Sequence, residues 1–69
     1  MVLNGRLVQV ARPTPDNSLA LGMVGVAHLM WPRVDVGIPE MYVLVPESLA
    51  DHQRFGGMLF AEGELEALP

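Results

Sequence analysis

The sequence contains no cysteine and no lysine. Without cysteine the chain has no disulfide, no thiolate ligand for a metal ion and no thiol nucleophile. Without lysine it lacks the side chain that a P-loop needs to hold phosphate, so the glycines at 22 and 25 do not indicate such a loop. A chain free of cysteine fits a reducing compartment, and we expect a cytoplasmic location.

Long hydrophobic runs are also missing. The longest mainly apolar stretch extends from Leu19 to Trp31, contains His28 and is followed by Pro32. A membrane-spanning helix needs about 20 apolar residues. The first residues show no basic region followed by a long apolar segment, so no signal peptide is expected either. We therefore expect no insertion into a membrane.

Positive charge is scarce. The chain has 4 basic residues, all arginine, against 8 carboxylates, which gives a net charge of −4. Because nucleic-acid binding depends on cationic contacts to phosphate, this balance makes nucleic acid an improbable partner. A nucleic-acid or ribonucleoprotein-contacting module that uses Arg6, Arg12 and Arg33 is kept as an alternative hypothesis.

Apolar residues make up 51% of the 69 residues, which is a high fraction for a single small domain spanning 1–69. A domain of this size buries only about 60% of the surface that its unfolded chain exposes. Part of the apolar surface is therefore expected to face a partner, either a larger protein or a second copy of the chain.

Residues for catalysis or metal binding are few. His28 and His52 are the only histidines, fewer than the three protein ligands of a catalytic zinc site. Ser18 lies in a turn context and Ser48 in a helix-capping context, which explains both without a nucleophilic role. The sequence predicts no catalytic residue, no metal site and no cofactor, and therefore no enzyme.

The pattern of apolar and turn residues predicts a mainly β domain with one short helix. Val8 and Val10 share one face of the first strand, and the second strand is apolar on both faces, which predicts that both faces are covered. Gly22 and Gly25 are predicted at a turn and a bulge. The predicted strands are 6–10, 21–30, 41–45, 58–60 and 65–68, with a loop at 12–18, a helix at 49–55 capped by Ser48 and ended by Gly56, and a tight turn at 62–64.

Five short strands joined by turns favour a small barrel, which removes exposed sheet edges. Val8 and Val10, the proline-containing loop, and then Gly22, Gly25 and Val26 resemble the plan of small SH3-like barrels, among them KOW-type domains and the small accessory subunit of photosystem I. The segment from Phe60 to Glu66 resembles the last turn and strand of such barrels. The resemblance implies a five-stranded SH3-like barrel and no particular activity. Alternation also predicts that Glu62, Glu64 and Glu66 share one solvated face.

The segment from Trp31 to Glu40 is the predicted binding region. It is a long connection that contains two prolines and still carries apolar side chains, although a loop on the surface is usually polar. Val34 and Val36 could form an edge ribbon that adds to a partner sheet, with Trp31 as an anchor or, alternatively, as a plug of the barrel mouth. The predicted protein-binding residues, which include a Tyr42 side chain expected to point outward, are Trp31, Arg33, Val34, Val36, Ile38 and Tyr42.

These observations predict a non-catalytic accessory or adaptor subunit that binds a larger protein assembly through an apolar surface. The two alternatives are the KOW-like nucleic-acid or ribonucleoprotein-contacting module and a small protein inhibitor or regulator of a larger enzyme. The sequence alone does not separate an adaptor from an inhibitor, because both need only an exposed binding surface.

Overall fold

The computed structural model describes residues 3–31 and 40–69. Within these residues five antiparallel strands form one sheet, accompanied by one short α-helix and two 3₁₀ helices, which confirms the mainly β prediction. The elements in chain order are β1 (Leu7–Val10), a first 3₁₀ helix (Pro15–Ala20), β2 (Val24–Trp31), β3 (Met41–Pro46), α1 (Leu49–Phe55), β4 (Met58–Ala61), a second 3₁₀ helix (Glu62–Glu64) and β5 (Leu65–Ala67).

The strand order across the sheet is β4-β3-β2-β1-β5, and every neighbouring pair is antiparallel. β4 and β5 are thus the two edge strands, and they do not pair with each other in the described part of the chain. The five strands and the short helix agree with the predicted fold class. The SH3-like character of the domain stays a resemblance.

The ends of α1 follow the sequence signals. The Ser48 hydroxyl accepts a hydrogen bond from the Asp51 backbone N–H at 3.4 Å, as expected of an N-cap residue. Gly56 ends the helix with a φ of 63°, a conformation that a residue with a side chain rarely adopts.

The first 3₁₀ helix was not predicted. Pro15 occupies its first turn, where a missing N–H costs nothing, so the loop expected at 12–18 is helical from Pro15 onward.

The hydrophobic core lies against one face of the sheet, which we call the inner face. On the other side, the core is covered by Leu3, by Ala20 of the first 3₁₀ helix and by Phe55 of α1. The buried core residues are Leu3, Val8, Val10, Ala20, Met23, Ala27, Tyr42, Leu44, Phe60 and Leu65.

Tyr42 belongs to this core, so the expectation that its side chain points outward was wrong. It lies between Met41 and Val43 on β3, and the alternation of the strand places it on the inner face beside Leu44. Its hydroxyl donates a hydrogen bond to Glu40 Oε1 at 2.9 Å, which satisfies the one polar atom of the buried ring. Tyrosine occurs both in cores and on surfaces, so whether its side chain is buried here depends on the register of the strand.

Burial raises the pKa of the Tyr42 hydroxyl above its ordinary value of 10.0, and the hydrogen bond to Glu40 raises it further. Because the chain has one tyrosine and neither lysine nor cysteine, no other side chain has an ordinary pKa near 10. The unfolded chain therefore ionises before the folded one as pH rises. We expect the free energy of unfolding to be constant up to about pH 10 and then to fall by up to about 1.4 kcal/mol per pH unit.

Urea unfolding at a series of pH values between 8 and the alkaline limit, monitored by circular dichroism, measures this decline. The same series on Tyr42→Phe should lack the decline over that range, because the variant has no group to ionise. An equal alkaline loss in both proteins would show that another group is responsible.

β2 is buried on one face only, which corrects the prediction that it is covered on both. Gly25 and Ala27 are buried on the inner face, whereas His28 on the opposite face is exposed. The predicted bulge is also displaced. Gly22 forms the expected turn with a φ of 87°, Gly25 lies in regular pairing opposite Pro46, and the register shifts between Leu29 and Trp31 instead.

Glu64 is buried, although it was predicted on a solvated face with Glu62 and Glu66. The second 3₁₀ helix interrupts the strand alternation and turns the Glu64 side chain inward. Its Oε2 accepts from the Ala61 backbone N–H at 2.8 Å, and its Oε1 accepts from the Thr14 backbone N–H at 3.0 Å and from Asn17 Nδ2 at 3.5 Å. This carboxylate therefore ties the first 3₁₀ helix to the segment that joins β4 to β5.

Candidate functional site

The face of the sheet that points away from the core, which we call the outer face, is built mainly from apolar side chains. Residues directly opposite each other in an antiparallel pair point to the same side, so the strand register defines rows of neighbours across the face. Three consecutive rows follow from it; they are apolar except for the exposed His28, and we call them the three apolar rows. They are Leu7, Val26 and Val45; His28, Val43 and Leu59; and Trp31, Met41 and Ala61.

A fourth row closes one end of the outer face and is acidic. The Glu47 backbone N–H donates to the Val24 carbonyl at 2.9 Å, which extends the pairing of β3 with β2 by one position and places Glu47 opposite Val24. Val24 is paired with Gln9, and Gln9 with Glu66. Glu47 and Glu66 are both exposed, so this end of the face carries two carboxylates.

The opposite end of the outer face carries the largest exposed aromatic group. The register shift between Leu29 and Trp31 pairs Trp31 with Met41, on the same face as Val43. Trp31 retains 54% of its accessible surface and the adjacent Met30 retains 51%. Val45 at 39% and Leu59 at 37% are also exposed. An exposed group of large apolar residues on one face is typical of a protein-binding surface.

At the two sheet edges, side chains of the domain form hydrogen bonds with outward-facing backbone groups of β4 and β5. Asn17 Nδ2 donates to the Leu59 carbonyl of β4 at 3.4 Å, and Glu64 accepts from the Ala61 N–H at the end of the same strand. On β5, Arg12 Nη2 donates to the Leu65 carbonyl at 3.2 Å. Edge strands protected in this way are poor templates for an added strand.

Of the six predicted binding residues, two lie in the described part of the chain. Trp31 is exposed at the end of β2, where a binding role needs it, whereas Tyr42 is buried and offers no surface. The other four, which are outside the described residues, are Arg33, Val34, Val36 and Ile38. Their proposed contribution, including the edge ribbon, stays a prediction.

Sequence reasoning did not include Val43, Val45 and Leu59 in the binding surface. The signal was present, because β2 and β3 are apolar at odd and at even positions alike. We interpreted that pattern in β2 as a strand covered on both faces. A small domain buries a small fraction of its apolar surface, so the same pattern also indicates an exposed apolar surface.

A second exposed apolar group lies between the first 3₁₀ helix and α1. Leu19 retains 77% of its accessible surface, and Leu21 is also exposed. Together with Asp51, Arg54 and Phe55 of α1, they line an open cavity of about 270 Å³. Binding sites for small molecules usually measure about 300–1,000 Å³ and enclose the ligand, so this open cavity is small for that purpose.

Of the three arginines proposed for nucleic-acid binding, Arg6 and Arg12 lie in the described part of the chain. Arg12 is engaged with its own domain, because its Nε donates to the Gly63 carbonyl at 2.9 Å and its Nη1 lies 3.8 Å from Glu66 Oε2. Arg6 is exposed before β1, and Arg33 lies outside the described residues.

Within residues 3–31 and 40–69, no group of three or more histidine or acidic side chains is placed to hold a metal ion. No helix found there is long and apolar enough to span a membrane.

Comparison of the chain with protein-family models, with curated proteins and with solved structures gave no match. The outer face and its surroundings are therefore the basis for a functional assignment.

Proposed function

We propose that this protein is a non-catalytic accessory or adaptor subunit that binds a larger protein through the outer face of its sheet. The observation that carries the proposal is the continuous set of three apolar rows, with Trp31, Val45 and Leu59 exposed among them. Covering such a surface releases water from apolar groups and stabilises the complex by roughly 25 cal/mol per Å².

The composition supports the same proposal. The core is small and half of the chain is apolar, and several of the apolar residues that the core does not bury lie together on the outer face. Trp31 at the end of this face has the character of a binding hot spot, since tryptophan supplies a large contact area from a rigid side chain. An inhibitor of a larger enzyme would use the same face, and the identity of the captured partner separates the two roles.

The nucleic-acid alternative receives less support. Arg12 already contacts two carbonyl groups and a carboxylate, so its use on phosphate would require breaking those contacts. The acidic end of the outer face would also repel a phosphate backbone.

The experiment is capture of host proteins on the immobilised domain, comparing wild type with Trp31→Ala. We expect the variant to lose most of the captured partner, because truncation of a hot-spot tryptophan costs about 2 kcal/mol or more, roughly a thirtyfold loss of affinity. Its melting temperature should change little, because the ring is already half exposed in the isolated domain.

Leu49→Ala is the matched control, since Leu49 is an exposed apolar residue on α1, away from the outer face. It should retain the partner. Equal capture by wild type and Trp31→Ala would contradict the proposal, and retention of nucleic acid in place of protein, lost steeply with salt, would favour the alternative.

A further inference from the structure

The dimensions of the outer face fit one helix better than a second sheet. Each apolar row crosses three strands, which corresponds to about 10 Å at a strand spacing of 4.8 Å, and β2 and β3 are common to all three rows. The three rows are two residues apart, so they extend about 14 Å along the strands. An α-helix is about 10 Å wide, and two to three turns of it cover that length.

The sheet edges argue against a partner that adds as a strand in the described part of the chain. Side chains of Asn17, Glu64 and Arg12 already occupy outward-facing backbone groups of β4 and β5. A partner strand would have to displace them, and on β4 it would remove the Ala61 N–H from the Glu64 carboxylate. The partner is therefore expected to contact side chains on the face.

The negative charge at one end of the outer face favours a partner that is positively charged at that end. Glu47 lies opposite Val24 and Glu66 opposite Gln9 in the same row of the outer face, and the face carries no lysine because the chain has none. Arg12 lies 3.8 Å from Glu66 and offsets part of its charge, which leaves Glu47 as the main negative group of this end. A partner with basic residues over this row is attracted, and one with acidic residues is repelled.

A second copy of the chain fits less well. Two copies, each with a net charge of −4, repel each other at low salt.

We propose that the outer face receives an amphipathic helix of a partner protein, with its apolar stripe on the three rows and basic residues at the end that lies over Glu47. This inference rests on the proposed function and names the chemistry of the partner. The helix axis runs along the strands, and Trp31 packs at the end remote from Glu47.

The test uses two designed helical peptides of about 14 residues, the length at which isolated helices become stable enough to use. Both have the same leucine and alanine stripe, and one has lysines and the other glutamates in the turn that lies over Glu47. Emission of Trp31, the only tryptophan, reports binding. We expect the lysine peptide to bind at least about tenfold more tightly at low salt, with a blue shift, and the preference to shrink as salt rises.

Glu47→Lys should abolish or invert the preference, whereas Glu62→Lys, away from this row, should preserve it. The inference would be overturned by equal affinity for the two peptides or by a salt-independent dimer of the domain. Peptide contacts confined to the residues around Leu19 and Phe55 would also overturn it. If neither peptide binds but Trp31→Ala still loses the captured host partner, the inference of a helical partner is wrong and the proposed binding through the outer face is kept. If the lysine peptide binds and Trp31→Ala keeps the host partner, the proposed function fails instead.

Discussion

Gly25→Ala should remove a large part of the stability of the protein. A Cβ atom at this position would lie 2.8 Å from the carbonyl carbon of Val45 and 2.9 Å from the Cα of Pro46, both backbone atoms of β3. Because backbone atoms in the middle of a sheet cannot move aside independently, the two strands would have to separate. We expect a cost of about 3 kcal/mol or more. A domain of this length has a total stability of roughly 3–10 kcal/mol.

Gly63→Ala is the matched control for this substitution. The same methyl group at Gly63 meets no heavy atom within 4 Å, and the φ of this residue is not positive. Its thermal unfolding should resemble that of wild type. A Gly25→Ala protein that melts within a few degrees of wild type would show that β2 and β3 do not approach as closely as described.

Glu64→Ala is expected to destabilise the domain by about 3 kcal/mol. The substitution leaves the backbone N–H groups of Thr14 and Ala61 without their acceptor in two partly buried hydrogen bonds, and an unsatisfied donor costs about 1–3 kcal/mol when water does not reach it. It also releases Asn17, which links the first 3₁₀ helix to β4. Chemical denaturation at neutral pH measures the loss.

Two neighbouring substitutions separate this network from a general effect of removing charge. Glu66→Ala, two residues away and exposed, should change stability by less than about 1 kcal/mol, because an exposed ion pair contributes little. Glu64→Gln should fall between wild type and Glu64→Ala, since one side-chain oxygen remains to accept. If Glu64→Ala and Glu66→Ala lose the same stability, the buried carboxylate has no special role.

The sequence was sufficient to predict the existence and type of the strands and of α1. The β-branched runs, the capping position of Ser48 and the stop at Gly56 are local signals, and a local signal needs no knowledge of the rest of the chain. The turn with positive φ at Gly22 was likewise expected from its glycine, whereas Gly25 lies at a close approach of two strands and not at the predicted bulge.

The burial of individual side chains was not predictable in the same way. Tyr42 and Glu64 were both assigned to the surface, and both are buried. Their placement depends on the register between strands and, for Glu64, on a 3₁₀ turn that breaks the alternation. Only the pairing of distant segments shows that three donors surround the carboxylate.

The candidate site was predicted in part. Trp31 was selected from its residue type and is exposed, but the surface around it comes from β3 and β4, which the sequence separates from Trp31 by ten residues or more. The rows become visible only when the register is known. The residues from 33 to 38 that were predicted beside Trp31 lie outside the described part of the chain and stay a prediction.

The central claim, that the outer face binds the partner, is tested most directly by comparing two variants that place the same charge on the two exposed apolar groups. Val45→Asp introduces a carboxylate into the middle of the outer face, and Leu19→Asp introduces one beside the cavity at α1. Capture of the host partner and the melting temperature are measured on both. We expect Val45→Asp to remain folded and lose the partner, and Leu19→Asp to remain folded and retain it. Loss of the partner by Leu19→Asp with full retention by Val45→Asp would place the interface at the first 3₁₀ helix and α1 and would contradict the claim.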